Sequence, residues 1–170
     1  MSDITDLLST ITEFSIGLAG FSGVIGVFIH GSGGWLEVDR FRITNLLVMS
    51  LTPGFLAFLT LGLIQVMDQD SAIRVSAAVF ALTIVVLLIV LPRARTKVPE
   101  QDQHLVGLHI FVPMSATFVL VLVTQSLVAF KAITSGTFTA YYFSLVVMLL
   151  LAVFQFARLI LARPQHKVDA

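Results

Sequence analysis

Five stretches of mostly apolar residues, each roughly 20–25 residues long, run along this sequence and leave it few ways to fold. They extend from about Leu7 to Ile29, Ile43 to Met67, Ala72 to Leu91, Leu105 to Phe130 and Phe138 to Leu161. At a helical rise of ~1.5 Å per residue, each is long enough to cross a hydrocarbon core of ~30 Å. An isolated strand in lipid would leave its backbone amides unpaired, so each stretch is expected to be a helix. A soluble helix of that length needs a polar face, and these runs offer none. The 170 residues are 57% hydrophobic and 12% charged, against about 45–50% and about 25% in a soluble domain. The expected fold is therefore all-α: a polytopic membrane bundle of about five transmembrane helices, forming a single transmembrane domain over residues 1–170.

The segments between the stretches are short. They are the glycine-rich run from His30 to Gly34, a tight turn at Asp68-Gln69-Asp70, the polar segment from Pro92 to Gln103, and a tail from Ala162 to Ala170. Nothing outside the bilayer is large enough to house an active site. With five spans, Arg40, Arg42, Arg93, Arg95, Lys97, Arg158, Arg163 and Lys167 fall on one side of the membrane, and only Arg74 and Lys131 on the other. The positive-inside rule then places the N-terminus outside and the C-terminus in the cytoplasm. An even number of spans would destroy this partition. Trp35 and the pair Tyr141-Tyr142 lie near span ends, where interfacial aromatics belong. Met1 to Glu13 carries Asp3, Asp6 and Glu13 and no Lys or Arg. A cleavable signal peptide needs a basic start, so the first helix is expected to stay in the mature protein. Compact size and the lack of extramembrane domains point to a multi-pass protein of a bacterial inner membrane.

Several function classes fall away. Formal net charge is zero, with no basic stripe interleaved with aromatics, so nucleic acid is not an expected partner. Cysteine is absent, which removes disulfides and thiolate chemistry. No selectivity-filter signature, arginine ladder, Walker motif or nucleophile–base pair is present, so no catalytic residues, cofactor or metal are expected and the chain is not read as an enzyme. His30 and His109 both fall near the cytoplasmic face, but His30 lies at a helix end beside flexible glycines, and His104 and His109 do not share a helix face. Bis-histidine ligation is therefore not expected.

The first helix carries the most information. Gly17, Gly20, Gly23 and Gly26 recur every three residues, with Ser15, Ala19 and Ser22 between them. At 100° per residue, Ser15, Ala19, Ser22 and Gly26 share one face, while Gly17 and Gly20 lie on another, below Glu13. Phe14, Leu18, Phe21, Ile25 and Phe28 collect on the remaining arc. Small residues let helices approach closely in lipid, so a helix small on two faces is expected to be central and to support self-association. Glu13, about six residues inside a helix starting near Leu7, lies ~9 Å below the outer surface. It is a candidate for cation or proton handling, with Arg74 as a possible neutralising partner.

Other polar residues form two layers. Asn45, His109, Gln155 and Arg158 sit toward the cytoplasm, and Glu13, Gln65, Arg74 and Gln125 toward the outside. Asn45, His109 and Gln155 join Glu13 as binding or transport candidates. Tyr141, Ser144, Met148 and Gln155 form a stripe on the fifth helix that must face protein or water. Pro53 and Pro113 fall near the middle of the second and fourth helices and are expected to kink them. The run from Trp35 to Arg42 reads as a solvated helix end held by i,i+3 pairs, Glu37 with Arg40 and Asp39 with Arg42, or as a gate or docking surface. Two classes of function remain. One is a homo-oligomeric channel or small-solute transporter with Glu13 at its entrance. The other is a non-catalytic scaffold or accessory subunit that packs against a partner membrane protein.

Overall fold

The computed structural model describes residues 2–31, 37–96, 98 and 107–161, with the side chains at 2, 29–31, 37 and 108–110 outside that description. Five helices account for nearly all of it: α1 (Ser2–Gly31), α2 (Glu37–Ile64), α3 (Gln69–Arg95), α4 (Leu108–Ala129) and α5 (Thr137–Leu161). All five are long and apolar enough to cross a membrane, and the described residues contain no strand.

α1 and α3 outrun their apolar stretches at both ends and α2 at its start, because polar residues continue these helices, whereas α2 stops at Ile64 and α4 runs only from Leu108 to Ala129. α1 starts at Ser2, with Thr10 and Thr12 donating to the carbonyls of Asp6 and Leu8. α3 passes through Pro92 and ends at Arg95. Its start is fixed by Asp68, whose carboxylate accepts the Ser71 amide at 2.9 Å. That pairing holds the Asp68 carboxyl below its ordinary pKa. α2 and α4 likewise continue through Pro53 and Pro113. The α4–α5 turn closes with Ala132 N–H donating to Leu127 O and Lys131 N–H to Val128 O, which places Lys131 at φ 61°. This is a Schellman ending with lysine at the left-handed position that glycine usually occupies.

α2 and α5 form the centre of the bundle. α2 packs against α1, α3 and α5, and α5 also meets α3 and α4. α1 lies along α2 with a smaller contact to α5, and it is the least buried of the five. Within one chain, then, α1 is peripheral rather than central. Its inward stripe is Leu8, Ile11, Ser15, Ser22 and Gly26, all buried. The approach to α2 is tightest at Gly54, where a Cβ would stand 2.6 Å from Ser15 Cβ. Larger side chains would hold these two backbones apart, so the Ser15 face binds α2 because both partners are small.

The interior is a continuous apolar core with Phe80, Phe118, Met49, Leu145 and Met148 fully or almost fully buried. The outer surface is equally apolar, with Phe14, Phe21, Phe28, Phe55 and Phe58 each more than half exposed. A bundle surrounded by lipid needs no polar exterior, and over the described spans the exposed face is mostly apolar, with Glu13 on α1 an exception.

Candidate functional site

Polar side chains gather at two depths, and a third feature stands on the outside of α1. At the arginine-rich end, the first turns of α2 and α4 meet the last turns of α5. Arg42 is buried there and its Nη2 donates to the Arg158 carbonyl at 2.6 Å. The last carbonyls of any helix lack intrahelical donors, so a guanidinium from a neighbouring helix both satisfies one and complements the α5 dipole. Asp39, one turn before Arg42, lies 4.0 Å from its Nη1, and both side chains are under a tenth exposed. The Asp39–Arg42 side of α2 is therefore packed inside the bundle, while Arg40 in the same turn is exposed. Arg95 stacks 5.3 Å from the Phe111 ring and Arg158 6.0 Å from Phe154, so these cations cover apolar surface with their side chains.

Next to this tie is a cleft of about 20 Å³, room for about one water, lined by Asn45, Met114, Gln155 and both arginines. Two of the residues singled out from the sequence, Asn45 and Gln155, thus converge from α2 and α5. Gln155 Nε2 donates only to Met114 Sδ at 3.1 Å, a weak acceptor, and its Oε1 meets Arg158 Nη1 at 3.5 Å. Asn45 is 5% exposed and its Oδ1 has no hydrogen-bond partner among the described residues. The His109 side chain lies outside the described residues, as does Trp35.

At the opposite end a second cluster joins four helices. The Tyr141 hydroxyl donates to the Leu56 carbonyl at 3.0 Å and lies 2.8 Å from Thr60 Oγ1, which itself reaches Leu56 O. Phe80 packs edge-on against the Tyr141 ring at 6.2 Å. Gln125 Nε2 donates to Ser144 Oγ at 2.7 Å, and Ser144 donates onward to Ala140 O. Tyr141 is fully buried, so it serves as an interior hydrogen-bonding post and not as an interfacial anchor. The stripe of Tyr141, Ser144, Met148 and Gln155 does turn to the protein interior. Thr60 and Ser76, which complete this region from α2 and α3, carried no sequence signal. Threonine and serine are common in apolar helices and only a facing partner distinguishes one from another.

Arg74 is committed elsewhere than to Glu13. Its Nε meets Asp70 at 2.6 Å and its Nη1 donates to the Val128 carbonyl at 2.8 Å, while Asp70 also accepts from Thr137. Arg74 therefore fastens the start of α3 to the end of α4 and, through Asp70, to the start of α5.

Glu13 stands alone on the exposed face of α1. It lies eleven residues beyond Ser2, ~16 Å along the helix, and ~10 Å past Asp6, the nearest acid toward that end. No hydrogen bond or ion pair reaches it among the described residues, and the residues following on its stripe, Gly17 and Gly20, are exposed. A Cβ added at Gly17, Gly20 or Gly23 would meet nothing within 4 Å, whereas Gly26 is turned inward and buried. The second small face of α1 is open, and a carboxylate lies at its upper end. Compared with protein-family models, curated proteins and solved structures, the chain matches none.

Proposed function

We propose that the protein is a non-catalytic membrane subunit that docks a transmembrane helix of another protein against the open face of α1. The observation that carries this reading is Glu13, unpartnered on the lipid side of an apolar span, directly above exposed Gly17 and Gly20. An ionised carboxylate costs roughly 2.5–3.5 kcal/mol at the centre of a membrane helix on insertion scales, and less toward the interface. A partner helix that seats over the glycines and brings a cation or a strong donor to Glu13 removes that cost. Charge favours a different protein over a second copy. Of the described cations, Arg40, Arg42, Arg93, Arg95 and Arg158 lie at the opposite end of the bundle, Lys131 lies beyond the end of α4, and Arg74, near the depth of Glu13, is held by Asp70 and the Val128 carbonyl. The apolar core agrees with a packing role, since the buried apolar residues form one cluster that runs through the bundle.

A homo-oligomeric channel is the second reading, favoured by the same carboxylate if several copies turn Glu13 toward a shared aqueous axis. The mass of the complex extracted from native membranes in mild detergent separates the two. A mass that is not a multiple of the chain, reduced to the chain alone by Gly20→Leu, supports the subunit reading. A whole multiple, with ion flux lost in Glu13→Gln, supports the channel. A monomer in both wild type and variant would overturn both.

A further inference from the structure

A groove on the outside of the bundle, between α2 and α3, has the anatomy of a phospholipid site. It begins at the arginine-rich end with a space of about 450 Å³ lined by Arg40, Thr44, Asn45, Val48, Val90 and Ala94, among others. It continues into a second space of about 470 Å³ that shares Thr44 and Val48 and ends at Phe55 and Thr83. From Arg40 to Phe55 is fifteen residues of helix, or ~22 Å, which matches the ~20–22 Å of one leaflet from headgroup surface to midplane. The lower part is apolar. Leu51 and Phe55 are about half exposed or more, and Thr52 and Thr83 turn their hydroxyls onto the carbonyls of Val48 and Val79.

The mouth is different. Thr52, Thr60, Thr83, Thr117 and Thr124 all donate to the carbonyl four residues back. Thr44 makes no such bond, although the Arg40 carbonyl stands in the same register, and its hydroxyl is left to the groove. Asn45 lines both the groove and the neighbouring cleft, is 5% exposed, and its Oδ1 has no hydrogen-bond partner among the described residues. A buried amide oxygen without a partner is unfavourable unless a donor from outside the chain meets it. Arg40 is exposed at the rim, with no ion pair among the described residues. One cation, one hydroxyl and one amide thus converge where an apolar channel opens.

We propose that this groove holds one anionic glycerophospholipid, with an acyl chain along α2 and α3 and its phosphate at Arg40. Thr44 donates to a phosphate or ester oxygen, and Asn45 Oδ1 accepts from a head-group hydroxyl. The anionic class is selected by charge, because Arg93 on the last turn of α3 adds to the positive field of Arg40, whereas Arg42 behind Asn45 is offset by Asp39. A second protein helix would fill the apolar part but leave the phosphate-sized polar mouth unmet.

Native mass spectrometry and thermal unfolding of the purified chain in mild detergent test the assignment, with phosphatidylglycerol, phosphatidylcholine and soluble glycerol phosphate as probes. Phosphatidylglycerol is expected to be retained and to raise the unfolding temperature more than phosphatidylcholine, with glycerol phosphate giving no shift. Arg40→Gln should reduce the preference about fivefold, the equivalent of one surface cation, while leaving lipid-free unfolding unchanged. Val90→Trp, at a half-exposed groove position, should block retention of both lipids. Equal retention of the two lipids by the wild type, an undiminished preference in Arg40→Gln, or a shift with glycerol phosphate alone would overturn the proposal.

Discussion

Replacing Gly54 with alanine probes the α1–α2 contact where the two backbones come closest to exclusion. The new Cβ would stand 2.6 Å from Ser15 Cβ, 3.0 Å from Ser15 Oγ and 3.7 Å from the Thr12 carbonyl oxygen. Carbon pairs rest at ~3.5–4.0 Å, so the helices must part by about 1 Å, because neither Cβ can rotate away. Overpacking of this kind costs roughly 1–3 kcal/mol. Alanine recovers about 0.5–1 kcal/mol of helix preference over glycine, which leaves a net loss of about 0–2.5 kcal/mol, centred on about 1 kcal/mol. Reversible unfolding in mixed micelles, titrated with a denaturing detergent, reads that loss directly. Gly62→Ala is the control, since nothing lies within 4 Å of its added Cβ, and it should be neutral or mildly stabilising. The clash also dictates its own rescue. Ser15→Gly removes the opposing Cβ and should restore most of the loss, giving a coupling of about 1 kcal/mol in a double-mutant cycle. Ser15→Ala keeps that Cβ and should rescue little. If Gly54→Ala proves as harmless as Gly62→Ala, or if Ser15→Ala rescues as well as Ser15→Gly, the proposed steric basis of α1 docking is wrong.

Two further tests address the polar clusters. Tyr141→Phe deletes the hydroxyl that reaches Leu56 O and Thr60 while keeping the ring against Phe80. It should cost about 0.5–1.5 kcal/mol by the same unfolding assay, and no change would mean that the hydroxyl contributes packing alone. At the start of α3, the Ser71 amide holds the Asp68 carboxyl below its ordinary pKa. A lowered folded-state value means that the stabilisation is complete above the ordinary carboxylate range and is lost as pH falls through the lowered pKa. Hydrogen exchange of the Ser71 amide, corrected for its intrinsic pH dependence, should accelerate on acidification in the wild type, whereas Asp68→Asn, which keeps an acceptor without a titrating group, should flatten that dependence.

The clusters differ in how much of them could be read from residue order. The inward stripe of Tyr141, Ser144, Met148 and Gln155 was legible because four less hydrophobic side chains share one face of α5. The shared depth of Asn45 and Gln155 also followed, since distance along a spanning helix converts directly to depth. Their meeting in one cleft did not, because depth says nothing about azimuth. Arg42 looked like a solvated helix-end charge, and only the presence of the α5 terminus beside it shows what its guanidinium binds. Arg74 was a plausible mate for Glu13 by depth alone, yet Asp70 one turn away and the Val128 carbonyl claim it first.

Five long apolar runs with short polar breaks determine five spanning helices, because hydropathy and length are local properties and only a helix satisfies the backbone of a continuous apolar run of that length within itself. The two small faces of α1 were likewise written in its glycine and serine spacing. Which face meets the bundle was not. In water the apolar side of a helix identifies its buried face, but in lipid both the core and the exterior are apolar and that signal vanishes. Phe80 and Phe118 are buried while Phe14 and Phe58 are exposed, and nothing in their types separates them. The choice falls to shape: Gly54 fits Ser15, so the serine face of α1 turns inward and Glu13, with the glycines beneath it, is left on the outside.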